Sequence, residues 1–181
     1  MKTITVFSGS KDNIPLSYRQ TSYDAIYMVA CNKNKYKIAY GGGYTGIMGM
    51  VRDACLNAGC YCIGINCEKW RTKLDEELNE NHYFQGICER QNKLVEVGDA
   101  YIVLPGGVGT FFEALQVITC NDIAEQNKPI FFLNTSNYFD EFMKLLEKGR
   151  EEKMIIKDNK TLNIHFVITP KELCKEVTRL V

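Results

Sequence analysis

The chain has 181 residues, of which 45% are apolar, and its 22 basic and 22 acidic side chains cancel to a formal net charge of zero. That length predicts one domain with a sizeable core, and the charge balance argues against a polyanion-coating surface, so a nucleic acid polymer is a poor partner. No stretch reaches the roughly 20 apolar residues of a membrane span, and "MKTITVFSGS" lacks a signal peptide's apolar region, so no membrane partner and a cytoplasmic location are expected.

In chain order, "TITVF" (3–7) reads as the first strand and runs into "SGSKDN". Ser8 and Ser10 there either donate to a ligand or cap the helix expected near 17–32. "KIAY" (37–40) is the second strand, followed by "GGGYTG" and a helix near 47–58. "CYCIGI" (60–65) is the third. The stretch 66–84, "NCEKWRTKLDEELNENHYF", is the least regular and reads as a solvated loop with a short helix, in which Trp70 either packs over a pocket mouth or, the safer reading, covers the core. A helix near 85–97 leads to "AYIVL" (100–104), then "PGGVGT" and a helix near 111–125. "PIFFL" (129–133), a helix near 138–150, "IHFVI" (164–168) and a helix near 170–180 complete the chain. Short continuous apolar strands separated by amphipathic helices predict a parallel sheet covered on both faces, a doubly wound α/β domain spanning 1–181.

The eight cysteines include no paired C-x-x-C, and neither histidine lies close enough in sequence to complete a ligand set. Reduced apolar filler is the expected role, with Cys60 and Cys62 sharing one buried face, and no metal site is expected. His82 and His165 are isolated and read as structural or exposed.

Ligands of such sheets bind outside the carboxyl ends of the strands, where three loops emerge. Glycines bring bare N–H groups close to a ligand, and a following helix adds orphan donors and a partial positive charge. "PGGVGT" therefore has the makings of a phosphate cradle, with Gly106, Gly107 and Gly109 supplying backbone donors and Thr110 a hydroxyl. Gly41-x-Gly43-x-x-Gly46 formally satisfies the dinucleotide fingerprint, with Glu68 at the spacing of a ribose-binding acid. Thr110-x-x-Glu113 matches a capping box, which read alone is the stronger explanation of Glu113. The same carboxylate, in the first helical turn and held ionised by the dipole, is also placed to stabilise a cationic sugar, attack it or orient a water. Arg90 flanks the stripe Ile87, Gln91, Leu94 and Gly98; a surface arginine is the ordinary reading, and a phosphate or ribose ligand the other.

Four segments, "FSGS", "YGGGYTGIMGMV", "ER" and "LPGGVGTFFEALQVIT", together carry a resemblance over residues 4–155. The chain resembles the LOG ("Lonely Guy") family of cytokinin riboside 5′-monophosphate phosphoribohydrolases, often labelled lysine decarboxylases. The resemblance implies a Rossmann-like homodimer that needs no cofactor. It would cleave the N-glycosidic bond of a nucleoside 5′-monophosphate, AMP or an N6-substituted AMP, to free base and ribose 5-phosphate. By the same resemblance Arg90 and Glu113 form the catalytic pair. Gly106, Gly107, Val108, Gly109 and Thr110 hold the phosphate, and Thr119 is a further contact. Gly9, Ser10, Gly42, Gly43, Gly46 and Gln91 complete the implied substrate contacts. The chain departs from the family pattern at Ser8, Lys11, Gln91 and Phe112, where relatives carry cysteine, serine, lysine and glutamate. Nothing in the sequence resembles a pyridoxal-phosphate site. Two other classes stay open, a non-catalytic carrier of the molybdenum-cofactor type and, on the fingerprint alone, an NAD-dependent oxidoreductase.

Overall fold

Alternating runs of β-branched or aromatic residues and amphipathic segments give the chain its layers. The computed structural model describes all 181 residues, Met1–Val181. Its strands are β1 (Lys2–Phe7), β2 (Tyr36–Tyr40), β3 (Cys62–Cys67), β4 (Glu80–Phe84), β5 (Ala100–Val103), β6 (Ile130–Leu133) and β7 (Ile164–Val167). The helices are α1 (Leu16–Ala30), α2 (Gly46–Ala58), α3 (Ile87–Val97), α4 (Val108–Asp122), α5 (Asp140–Glu151) and α6 (Pro170–Leu180). All strands are parallel, in the order β4-β3-β2-β1-β5-β6-β7, so the winding reverses between β1 and β5. A crevice opens at such a reversal, beyond the carboxyl ends of the strands.

Side chains that alternate along the strands feed two cores, one on each face of the sheet. Ile4, Ile38 and Phe131 pack with Ala25 of α1, Val51 of α2 and Leu173 of α6. Phe7, Ile65 and Phe132 pack on the other face with Leu94 of α3, Val117 of α4 and Leu146 of α5. This is the doubly wound α/β fold expected from the sequence. No helix is long and apolar enough to cross a membrane.

All eight cysteines are free thiols. Cys55, Cys60 and Cys62 share the first core. Burial pushes the Cys60 thiol up to about 11, which keeps it protonated and apolar in character.

The stretch 66–84 corrects the sequence reading. Instead of a loop it contains the end of β3, two 3-10 turns (Glu68–Trp70 and Lys73–Glu77) and the edge strand β4. Its residues "ENHYF" carry no apolar alternation, and each is only half-buried. Hydrogen bonds fasten it instead: Tyr83 Oη donates to Asp75 Oδ2 at 2.7 Å, and Asn81 Nδ2 to the Asp75 carbonyl at 2.7 Å. The buried Asp75 carboxylate also accepts from the Thr72 N–H at 2.9 Å. A strand held by a polar hub has no hydrophobic period to read.

Candidate active site

The glycines of "PGGVGT" end β5 and start α4 in one tight turn. Gly107 is the residue just before the helix, which begins at Val108 rather than near 111. Helix geometry leaves the N–H groups of Val108, Gly109 and Thr110 without intrahelical acceptors, and the first helical bond runs from Phe111 N to Gly107 O at 3.1 Å. Those three donors face a cavity of about 650 Å3. The volume is that of a small-molecule site. Space around Gly107 and Gly109 is open: a Cβ at either would meet no atom within 4 Å.

The early helix start overturns the capping box. Thr110 is the third helical residue and so cannot be the cap. Glu113 stands in the second turn, where the helix dipole has faded. Its carboxylate accepts from Arg90 Nη1 at 3.1 Å. Both side chains are 6% exposed. Arg90 is thus buried, not at the surface, and two carbonyls fix its remaining edge: Nε donates to Ile65 O at 2.9 Å and Nη2 to Gly41 O at 3.3 Å. Gly41 has to be glycine for this, because a Cβ there would lie 2.2 Å from Nη2.

Electrostatics at Glu113 also differ from the sequence expectation. Burial pushes its carboxyl up to about 7, with Arg90 pulling in the opposite direction. Desolvation outweighs the ion pair because both partners have left water. The group is therefore poised near neutrality instead of being held ionised.

Ser8, at the end of β1, adds a separate observation. Its hydroxyl oxygen is buried and without a hydrogen-bond partner, and the residue lines the same cavity. Buried hydroxyls are nearly always paired in folded proteins, so an unpaired one beside the cavity is a candidate ligand contact.

The cavity brings together Gly9, Ser10, Gly43, Arg90, Gly107, Val108, Gly109, Thr110 and Glu113 from the residues singled out in the sequence. Six others lie off its wall. Gly42 and Gly106 sit in the turns behind it, and Gly106 packs beneath the Thr110 hydroxyl. Gly46 turns with φ +58 against the backbone of Ser10 and Lys11, a packing role. Gln91 is 1% exposed within α3. Thr119 lies exposed farther along α4, its hydroxyl donating to Leu115 O at 2.8 Å. Glu68 pairs with Arg71 at 3.1 Å and does not face the cavity.

Sequence reasoning missed the far wall. Asn66, Lys69, Trp70, Arg71 and Thr72 line it, joined by Tyr44, Met48 and Ile87. Trp70 is 49% exposed at this wall and does not cover the core. The signal was the third βα connection itself, hidden because β3 continues to Cys67, two residues beyond the predicted end.

Comparison with known proteins gives the chain's family and the kinship of its fold. A family model described as "Possible lysine decarboxylase" matches residues 48–177. The chain is 32% identical over 158 residues to a cytokinin riboside 5′-monophosphate phosphoribohydrolase of Rhodococcoides fascians, covering 85% of this chain and 78% of that protein. A protein of the same name from Arabidopsis thaliana is 31% identical over 179 residues, covering 97% and 81%. Among solved structures, a structural-genomics target superposes with a TM-score of 0.77 at 22% identity, covering 99% of each chain. The molybdenum cofactor carrier protein of Chlamydomonas reinhardtii gives 0.73 at 16% identity, covering 99% and 97%. These structures share the fold.

Proposed function

Because the chain belongs to the LOG family of cytokinin riboside 5′-monophosphate phosphoribohydrolases, we propose that it hydrolyses the N-glycosidic bond of a nucleoside 5′-monophosphate of the AMP type. The carrying observation is a buried Arg90–Glu113 pair facing the same cavity as the open N-terminus of α4. The phosphate takes the N–H groups of Val108, Gly109 and Thr110, where the helix end favours an anion. Ser8 Oγ offers one more donor. This anchoring holds the ribose so that binding energy far from the reacting bond orients it.

Glu113, ionised, faces the anomeric carbon as positive charge develops there. The bond from C1′ to the base nitrogen breaks with its electron pair going to the base, which takes up a proton. The hydroxyl of water ends on C1′. Arg90 stays charged throughout and fixes the carboxylate from one side, leaving its second oxygen free. The products are free base and ribose 5-phosphate.

An exposed stripe of Val108, Phe112 and Leu115 on α4, continued by Ile123 just past its end, supports a homodimer. These positions recur at helical spacing on one face, and the stripe starts at the cavity wall with Val108.

Incubation with a panel of nucleoside monophosphates, with chromatography of free base, tests the reading. AMP or an N6-substituted AMP is expected to release base, and Glu113→Ala to abolish that release with the fold intact. Undiminished turnover in the variant would remove Glu113 from the chemistry. A non-catalytic carrier would use the same cradle without calling for a buried ion pair. Co-purification of a pterin, without base release from any nucleotide, would favour it.

A further inference from the structure

The cavity has an ordered geography. The α4 N-terminus stands at the end of β5, and β1 and β2 separate it from β3. With neighbouring strands about 4.8 Å apart, the turn after β3 lies about 14 Å from the phosphate cradle across the sheet. Arg90 is anchored between the two, on Gly41 O after β2 and Ile65 O in β3. A nucleotide whose phosphate sits on α4 and whose anomeric carbon meets Glu113 therefore projects its base toward the 3-10 turn Glu68–Trp70.

Trp70 lines the cavity there and is half exposed. Lys69 Nζ stands 4.5 Å from the centroid of its ring, an ammonium over one face. The turn anchors in β3 on one side, and on the other Arg71 stacks its guanidinium 4.6 Å from the ring of Tyr83 in β4. A large aromatic left in water on a braced turn, at the end of the cavity opposite the phosphate cradle, has the form of a stacking platform.

We propose that Trp70 is the base-recognition residue of this site, stacking its indole on the nucleobase and so setting affinity for the base end of the substrate. The proposal rests on the nucleotide reading above and specifies which residue meets the base. Lys69 covers one ring face, and the base takes the other.

Trp70 is the only tryptophan in the chain, so its emission reports on this one position. Titrating the protein with AMP and with adenine is expected to quench the emission. Ribose 5-phosphate, which fills the cradle without a base, is expected to leave it unchanged. Trp70→Ala is expected to raise KM for AMP by about 5- to 100-fold, the range of aromatic stacking on a base, with kcat changed far less. Trp70→Phe is expected to restore most of the loss. An exposed side chain on a surface turn leaves no core cavity when truncated, so circular dichroism of the alanine variant should match the parent chain.

AMP binding measured by calorimetry without any change in emission would overturn the proposal. So would an unchanged KM in Trp70→Ala, or a larger loss in Tyr44→Ala, which would move the base to the other exposed aromatic of the cavity. Failure of the hydrolase reading has a different signature. The parent chain would then release no base, while quenching by adenine, which needs only binding, would still decide the role of Trp70.

Discussion

Glu113 combines two demands that oppose one another. The proposed hydrolysis uses its ionised form at the anomeric carbon, and burial beside Arg90 pushes its carboxyl up to about 7. kcat/KM should therefore rise with pH along an acid limb centred near 7, above the roughly 6 of a phosphate monoester's second ionisation. A profile flat from pH 6 to 8 would contradict this. Stability should move the other way. A carboxyl whose folded value exceeds the roughly 4.3 of an unfolded chain binds its proton more tightly when folded. The unfolded chain then carries fewer protons in that window, and unfolding free energy falls as pH climbs from about 4.3 to about 7. Urea unfolding across that range should show the decline, and Glu113→Gln should lack it. The same residue was hardest to read in the sequence: Thr110-x-x-Glu113 is a valid capping pattern, and only the start of α4 at Val108 removes it.

At the scale of elements, the turn from β5 into α4 is built for approach and not for helix stability. Gly109 lies inside the first turn with nothing around a prospective Cβ. Gly109→Ala should thus stabilise the fold by about 0.5–1 kcal/mol, through lower entropy of the unfolded chain. The same methyl group enters the phosphate cradle and should raise KM for the nucleotide at least severalfold. Thermal unfolding and steady-state kinetics on one preparation check both signs, and a gain in stability with unchanged KM would place the phosphate elsewhere. Gly46 gives the contrast. Its φ is +58, and a Cβ there would lie 2.6 Å from Lys11 O, so alanine is a destabilising change with no direct effect on the cavity. Both glycines sit in motif-like loops, yet the first borders the open cavity and the second serves the packing.

For the whole molecule, the apolar stripe of α4 is a departure from a polar surface near the site. Val108 is 86% exposed, and Phe112 and Leu115 continue the same face. Phe112 replaces a glutamate of the family pattern, which makes the face more apolar. Burial against a second copy is the expected use. Leu115→Glu should shift the mass measured by light scattering from dimer to monomer, and a monomeric parent chain would dismiss the proposal. Glu113 points inward from the opposite side of the helix, so the substitution leaves the ion pair in place.

The sequence alone determined the layered α/β architecture, because buried parallel strands and amphipathic helices write their periods directly into the order of residues. It also determined most of the near wall of the cavity, since glycine clusters at strand ends are local signals. Only the tertiary structure decided what depends on partners distant in the chain. It buried Arg90 by supplying Ile65 O and Gly41 O, 25 and 49 residues away. It made a strand of "ENHYF" by pairing it with β3, and it carried Trp70 to the cavity's far wall. Burial, pKa and cavity shape follow from which surfaces meet, and no local pattern of residues specifies that.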